Sequence, residues 1–280
     1  MKQRSYMKDI AAGVLLIIAY IPMFIWMRER WFAEESYYNH GFLIPVVSLY
    51  IVWQRRETLK KIKPSGSMLG VVIIALGLMA HILAALLKVY FISGFSFVFV
   101  LFGLILFLYG KEMARKLIFP IFFLLVMVPL PLVFISNLTV QLKLFVAQVA
   151  TFILNKIGFP SIRTGSVIKM PSSFVSVEAP CSGLRSLISL ITLGLVFAYA
   201  VKGTYTKKSL LFLSSIPIAL LTNMIRIVSL AIVNDLYGKK IAMGFFHDFS
   251  GFFMFGIAFM CLYGVSRVLV PDKHPTEVKP

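Results

Sequence analysis

The chain has 280 residues, of which 59% are hydrophobic and only 14% are charged, whereas roughly 25% of the residues in soluble domains are charged. Its formal net charge is +17, and its mean hydropathy is +0.90. This composition excludes a soluble domain, because so apolar a surface needs lipid as its solvent. The basic residues fall in short clusters between apolar blocks, which is typical of cytoplasmic membrane loops and argues against a nucleic-acid partner.

Apolar blocks separated by charged residues predict eight transmembrane helices, since about 20 apolar residues cross a hydrocarbon core of about 30 Å. The blocks cover residues 10–27, 40–54, 68–87, 90–109, 117–135, 182–201, 209–233 and 249–270. Only Lys88 and its neighbours separate the third block from the fourth, which predicts a tight hairpin. The first block follows a basic start that would also suit a signal peptide, but no A-x-A cleavage site follows it, so we expect a retained span. The predicted fold class is therefore all-α and polytopic, with residues 1–280 as a single transmembrane domain.

The distribution of Lys and Arg over alternate loops predicts how the chain is oriented. With eight spans, 17 basic residues lie on the side of the N-terminus and 9 on the opposite side. Cytoplasmic loops carry the excess of basic residues. We therefore expect a multi-pass protein of the cell membrane with both termini in the cytoplasm.

The stretch 136–180 has no clean apolar block and is predicted to be the largest extracytoplasmic segment. Its first half has spaced polar residues among apolar residues at helical spacing, which indicates an amphipathic helix on the outer leaflet. Its second half, from 158 to 177, alternates in the manner of a short β-hairpin. This segment leads directly into Cys181.

Cys181 stands where the chain passes from this segment into the next span, in the sequence SVEAPCSGLRSL. Pro180 suits the first turn of a helix, where its missing N–H would have had no partner. The helix dipole, together with Arg185 four residues later, is expected to lower the pKa of the Cys181 thiol. The sequence therefore favours a reactive thiol over a buried structural cysteine. Cys261 has no charged neighbour in its span, and we expect it to serve packing.

Arg226 and His247 are two further candidates that apolar packing does not explain. Arg226 lies within the apolar run IALLTNMIRIVSL and needs a partner or water, and Asn223 shares its helix face. The alternative for Arg226 is a snorkelling arginine that fixes helix packing. His247 lies just before the last span, and the alternative to a functional role is a helix cap or an interfacial anchor. The predicted topology brings a nucleophile, a cation and a proton carrier to the outer side of the membrane.

The histidines give no sign of a metal site. His40, His81, His247 and His274 are scattered, with no H-E-x-x-H or C-x-x-C spacing, so we expect neither a metal nor a cofactor. His40, in YYNHGFLIP, is interpreted as a helix cap at the outer face, and its functional alternative is a contact with a substrate.

Several segments resemble the exosortase/archaeosortase family of membrane cysteine transpeptidase-like enzymes. These are VEAPCSGLRSL, LTNMIRI and FFHDFSG, in that order and at helix ends, together with YNHGFLIPVVSLYIVWQRR and MVPLPLVF. The resemblance covers about residues 10–270. The proline before Cys181 departs from the small residue expected there, and the soluble C-terminal domain carried by some relatives is not seen in this sequence.

The resemblance implies a catalytic trio of Cys181, Arg226 and His247. Supporting positions in the same motifs are Glu178, Ser182, Gly183, Arg185 and Asn223. The implied substrates are secreted, membrane-anchored proteins with a C-terminal signal made of a short motif, a transmembrane helix and a basic tail. The bacterial form of that motif contains Pro-Glu-Pro, and the acceptor is a cell-surface or lipid group.

Alternatives to a transpeptidase remain open from the sequence. A transporter or channel would also have many spans and buried arginines, although neither an internal repeat nor a matching pair of broken spans is apparent. An intramembrane protease would share the chemistry but end in hydrolysis. The sequence also leaves open which arginine stabilises the oxyanion. The spacing from Cys181 favours Arg185, whereas the family pattern favours Arg226.

Overall fold

A computed structural model describes residues 2–34, 36–177 and 183–270. Helices dominate this part of the chain, so the predicted all-α fold class is confirmed. The chain divides into two compact units, residues 1–131 and 132–280, which are called unit 1 and unit 2.

The described part of unit 1 is a set of helices joined by short loops. The helices are α1 (Lys2–Ala19), α2 (Ile21–Trp31), α3 (Leu43–Gln54), α4 (Arg56–Leu59), α5 (Leu69–Leu86), α6 (Tyr90–Tyr109) and α7 (Lys111–Phe123), followed by a 3-10 turn (Leu124–Met127). The predicted tight hairpin between α5 and α6 is present and turns at Lys88, whose φ is 55°. A Cβ added to Gly70 would lie 2.5 Å from the backbone nitrogen of Phe107, so a glycine there lets the two helices approach closely.

A polar network joins His81 of α5 to the bend between α1 and α2 and to Ser93 of α6. The residues Asp9–Ala19 and Ile21–Trp31 meet at 61°, and Pro22 in the first turn of α2 cannot continue the hydrogen bonds of α1. The Nε2 of His81 lies 3.1 Å from the carbonyl oxygen of Ala19, and its Nδ1 lies 2.6 Å from the buried Ser93 hydroxyl. Since a carbonyl only accepts, the proton of a neutral His81 is on Nε2, and Ser93 donates to Nδ1.

The described residues include five helices that are long and apolar enough to cross a membrane, or six if the bent pair counts as one span. The five are α5, α6, α8 (Leu132–Lys156), α10 (Tyr205–Tyr237) and residues Phe249–Leu269 of α12 (Phe245–Leu269). The apolar helices α3 and α9 (Leu184–Ala200) are shorter, with 12 and 17 residues. The chain is thus a polytopic membrane protein.

The predicted block 117–135 is not one helix in the structure. The 3-10 turn after α7 ends at Met127, and α8 begins at Leu132. Pro129 and Pro131 explain the break, because each proline lacks a backbone N–H and disfavours helical geometry in the residue before it. The expected amphipathic helix lies within α8. This helix has 25 residues and is itself long and apolar enough to cross a membrane.

Unit 2 contains a small antiparallel sheet between α8 and α9. Its strands are β1 (Ile162–Thr164), β2 (Val167–Lys169) and β3 (Phe174–Ser176), in the order β1-β2-β3. The predicted hairpin is therefore confirmed, and a third strand extends it. The remaining helices of unit 2 are α10, the short α11 (Lys239–Ala242) and α12.

The sheet is fixed to the C-terminal part of α10, on the way to Cys181. Ile168 and Val175 are buried in a cluster with apolar residues of α8 and α10. The Asn234 side-chain amide donates to the carbonyl oxygen of Phe174 at 3.0 Å. Asp235 accepts hydrogen bonds from the hydroxyls of Ser172 at 2.6 Å and Ser173 at 3.0 Å. These contacts set where the chain leaves β3.

The network at the bend predicts a specific loss of stability. His81→Leu should lower the free energy of unfolding by about 1–3 kcal/mol, because it leaves the Ser93 hydroxyl and the Ala19 carbonyl without their partner. The measurement is thermal unfolding of purified protein in detergent. Met79→Leu on the same helix is the matched control, because Met79 is 55% exposed. Equal unfolding midpoints for the two variants would show that the network does not stabilise the bend.

Candidate active site

Arg226 is the charged residue that most constrains unit 2. It is only 9% exposed and lies 11 residues before the end of α10 at Tyr237, about 17 Å along the helix at 1.5 Å per residue. A guanidinium at this depth of an apolar helix needs hydrogen-bond acceptors or water. The first two turns of α12 supply the acceptors.

Three contacts join the Arg226 guanidinium to α12. Its Nη2 donates to the backbone carbonyl oxygen of His247 at 3.2 Å and lies 3.3 Å from the ring Nε2 of His247. Its Nε donates to the Ser250 hydroxyl at 3.4 Å, and Ser250 in turn donates to the His247 carbonyl at 3.0 Å. A guanidinium has donors only, so in this contact the His247 Nε2 is an acceptor and a neutral ring carries its proton on Nδ1. The structure thus brings two of the three predicted catalytic residues together.

Ser250 and Gly251 complete this site and were not predicted from the sequence. A Cβ added to Gly251 would lie 3.2 Å from Nη2 and 3.4 Å from Cζ of Arg226, so the absent side chain makes room for the guanidinium. His247, Ser250 and Gly251 are at positions i, i+3 and i+4, which share one helix face. The sequence HDFSG shows this spacing, so it could have indicated Ser250 and Gly251. It does so only once the structure shows that Arg226 packs against this face of α12.

Gly183 and Asn223 bring the start of α9 to the same part of α10. Gly183 has φ 83° and ψ −4° at the N-cap of α9, a left-handed conformation that favours glycine. An added Cβ there would lie 2.6 Å from Nδ2 of the buried Asn223. Asn223 is one turn before Arg226, so the first residue described after the cysteine segment packs beside the arginine.

A small cavity with a mixed polar and apolar lining lies next to these side chains. Its volume is about 10 Å³, and its lining includes Ser186, Asn223, Arg226 and Gly251. This volume is at the lower limit for one water molecule. A single water there would have hydroxyl, amide and guanidinium groups as partners.

Arg185 occupies the first turn of α9, and its Nε is buried with no hydrogen-bond partner among the described residues. Three predicted site residues, Glu178, Cys181 and Ser182, lie outside the described residues. The described chain on either side of them is packed on α10, through β3 before and Gly183 after.

His40 lies in unit 1, in the loop between α2 and α3. Its backbone carbonyl accepts a hydrogen bond from Leu43 N at 3.0 Å at the start of α3. Its ring stacks on that of Tyr38, with centroids 6.3 Å apart. Burial lowers the pKa of His40 and raises the pKa of Tyr38, so both side chains are held in their neutral forms. A role in substrate contact stays a prediction.

Cys261 is exposed on α12, so the expectation that it serves interior packing is wrong. It lines an apolar groove with Phe253, Gly256 and Met260. Sequence hydropathy could not distinguish the two faces of α12, because both are apolar.

The helices and the Arg226–His247 contact define a class: polytopic membrane proteins with a buried polar site between helices. Comparison with known families then gives the identification. The family model of the transmembrane exosortases matches residues 10–264, and the chain belongs to this family. No curated protein and no solved structure matches it. Family membership supports a membrane enzyme that processes sorting signals.

The room left by Gly251 predicts a selective effect on processing. Gly251→Ala should slow cleavage of a reporter with a C-terminal sorting signal at least about tenfold, because an added methyl displaces the Arg226 guanidinium and small misplacements of this kind cost up to about 10²-fold. The measurement is the rate of mature reporter formation at equal enzyme levels. Gly256→Ala on the same helix is the control, since nothing lies within 4 Å of its added Cβ. Equal rates of reporter cleavage for the two variants would show that the position of the Arg226 guanidinium does not matter for processing.

Proposed function

We propose that the chain is a thiol transpeptidase that cleaves C-terminal sorting signals of the Pro-Glu-Pro type at the outer face of the cell membrane. The observation that carries the proposal is the contact of Arg226 with His247, beside the start of the helix that follows Cys181. The outer-face location is supported by the 17 to 9 distribution of basic residues. The partners are membrane-anchored substrate proteins and a cell-surface or lipid acceptor.

In the first half of the reaction, the Cys181 thiolate attacks the carbonyl carbon of the scissile peptide bond. A C–S bond forms, and the carbonyl oxygen becomes a tetrahedral oxyanion. Arg226 donates hydrogen bonds to this oxyanion, a role that suits a planar, permanently charged donor. Its existing bonds to uncharged acceptors, a carbonyl, a hydroxyl and a ring nitrogen, leave the positive charge available.

His247 carries the proton. The neutral ring has its acceptor nitrogen, Nε2, next to Arg226, and this nitrogen takes the thiol proton before the thiolate attacks. The same proton then passes to the departing amine as the C–N bond breaks, which releases the transmembrane tail and leaves a thioester. A hydroxyl or amine of the acceptor then gives its proton to His247 and attacks the thioester carbon; a new C–O or C–N bond forms as the C–S bond breaks, which regenerates the thiolate.

Arg185 is assigned to the thiolate and Arg226 to the oxyanion. Arg185 is four residues after Cys181 and has a buried Nε without a partner among the described residues, so it is available to stabilise a nearby anion. Arg226, in contrast, is already oriented by α12. A transporter would need neither a thiol nor this orientation.

The nucleophile is tested by replacing the two cysteines separately. Cys181→Ala and Cys181→Ser should abolish processing and let uncleaved substrate accumulate in the membrane. Cys261→Ala should leave processing near normal, although the Cys261 thiol is exposed. The measurement is mass spectrometry of the product's new C-terminus and of a thioester trapped on the enzyme.

Two outcomes of that experiment bear on the alternatives. A folded, inserted Cys181→Ala variant that still cleaves would exclude the thiol mechanism and reopen the transporter hypothesis. If every product ends in a free carboxylate although acceptor is present, the enzyme hydrolyses the thioester and does not transfer it.

The two arginines should fail differently when replaced. Arg226→Lys should reduce processing about 10²- to 10³-fold, because lysine keeps the charge but loses the planar fork. Arg185→Ala should raise the pH at which a small reagent alkylates Cys181, since a thiol without its cation moves toward its ordinary pKa of about 8.5. Arg185→Lys should have a mild effect.

The alkylation is measured in a Cys261→Ala background, because Cys261 is exposed and would react as well. The opposite result would exchange the roles of the two arginines. In that case Arg226→Lys would shift the pH at which Cys181 is alkylated, and Arg185→Ala would leave that pH unchanged but abolish processing.

A further inference from the structure

A cavity of about 1170 Å³ opens between α9, α10 and α12 at the ends of these helices that lie away from Arg226. Lys207, which lines it, is 19 residues before Arg226 on α10, about 28 Å along the helix axis. The cavity is therefore separate from the candidate active site, and no step of the proposed reaction uses it.

The lining of this cavity is cationic in one part and apolar in the other. The cations are Lys202, Lys207 and Arg267, which come from three different segments of unit 2. The apolar part includes Phe197 and Val201, which are half-buried against the core of α9, α10 and α12. A molecule that fits both parts carries a negative charge next to hydrocarbon.

Helix electrostatics explain two of these cations but not the third. Arg267 lies in the last turn of α12, and Lys202 directly follows the C-cap of α9, so both are favoured by the negative ends of helix dipoles. Lys207 lies in the first turn of α10, where the dipole disfavours a cation.

Lys207 also has no carboxylate partner among the residues that the structure describes. In the described parts of the chain, ion pairs are formed only by Glu57 with Arg56 and Lys60, all in unit 1. An exposed lysine at an unfavourable helix end, next to two other cations, favours an anion other than the carboxylates of the described residues.

We propose that this cavity binds one anionic phospholipid, with its phosphate at Lys202 and Lys207 and its acyl chains against Phe197 and Val201. Lipid is the favoured occupant because the protein spans a membrane and the lining joins cations to an apolar surface. Basic pockets between transmembrane helices on the cytoplasmic side bind anionic headgroups in this way. The predicted orientation places residues 202–208 on that side. The proposal does not depend on the chemistry of Cys181.

The test is native mass spectrometry of the full chain in detergent, titrated with phosphatidylglycerol or with phosphatidylcholine of the same acyl chains. The wild type should retain one phosphatidylglycerol and bind it at least tenfold more tightly than phosphatidylcholine. The double variant K202Q/K207Q should lose this preference. The matched control is K239Q/K240Q, which removes the same charge at the opposite end of α10 and should behave as the wild type.

Three results would overturn the proposal. Equal retention of the two lipids by the wild type would show that the cavity does not select an anion. Equal losses in both double variants, with unchanged thermal unfolding, would show a general effect of net charge. Displacement of the lipid by glycerol 3-phosphate, which has no acyl chains, would assign the cavity to a soluble phosphate ester.

Discussion

The burial of one guanidinium organises unit 2. Placing an arginine within an apolar membrane helix costs about 2.5–3.5 kcal/mol on insertion scales, and the cost falls when the charge finds acceptors. Arg226 finds them in the first two turns of α12, where a backbone carbonyl, a ring nitrogen and a hydroxyl converge. Gly251 supplies the space by having no side chain. The pairing of α10 with α12 is thus fixed by polar contacts and not by apolar packing alone.

The same helix fixes the chain on both sides of the cysteine segment. The sheet is bonded to Asn234 and Asp235 of α10, and the left-handed Gly183 packs on Asn223, one turn from Arg226. The helix α10 therefore supports β3 and the start of α9 and also carries Arg226. Since catalytic groups lose rate steeply when displaced, the proposed reaction of a thiol, a cation and a proton carrier from three segments would need such a common support.

The two units satisfy intramembrane polar groups by the same physical means. In unit 1, His81 bonds the Ala19 carbonyl at the bend between α1 and α2, and Ser93 supplies the ring's second partner. In unit 2, Arg226 is satisfied by a histidine and a serine. Within hydrocarbon no water competes for such groups, so each network ties a non-adjacent helix to the bend or turn that exposes the polar atom.

The sequence by itself determined the membrane class, the α5–α6 hairpin, the short strands and the candidates Arg226 and His247, because hydropathy, turn chemistry and charge in an apolar run are local properties. It did not identify the break between α7 and α8 or the exposed face that carries Cys261. Only the tertiary structure showed that Ser250 and Gly251 form the seat of the arginine. The physical reason is that a side-chain contact between helices depends on their relative rotation and height, and these are set by packing among segments far apart in sequence.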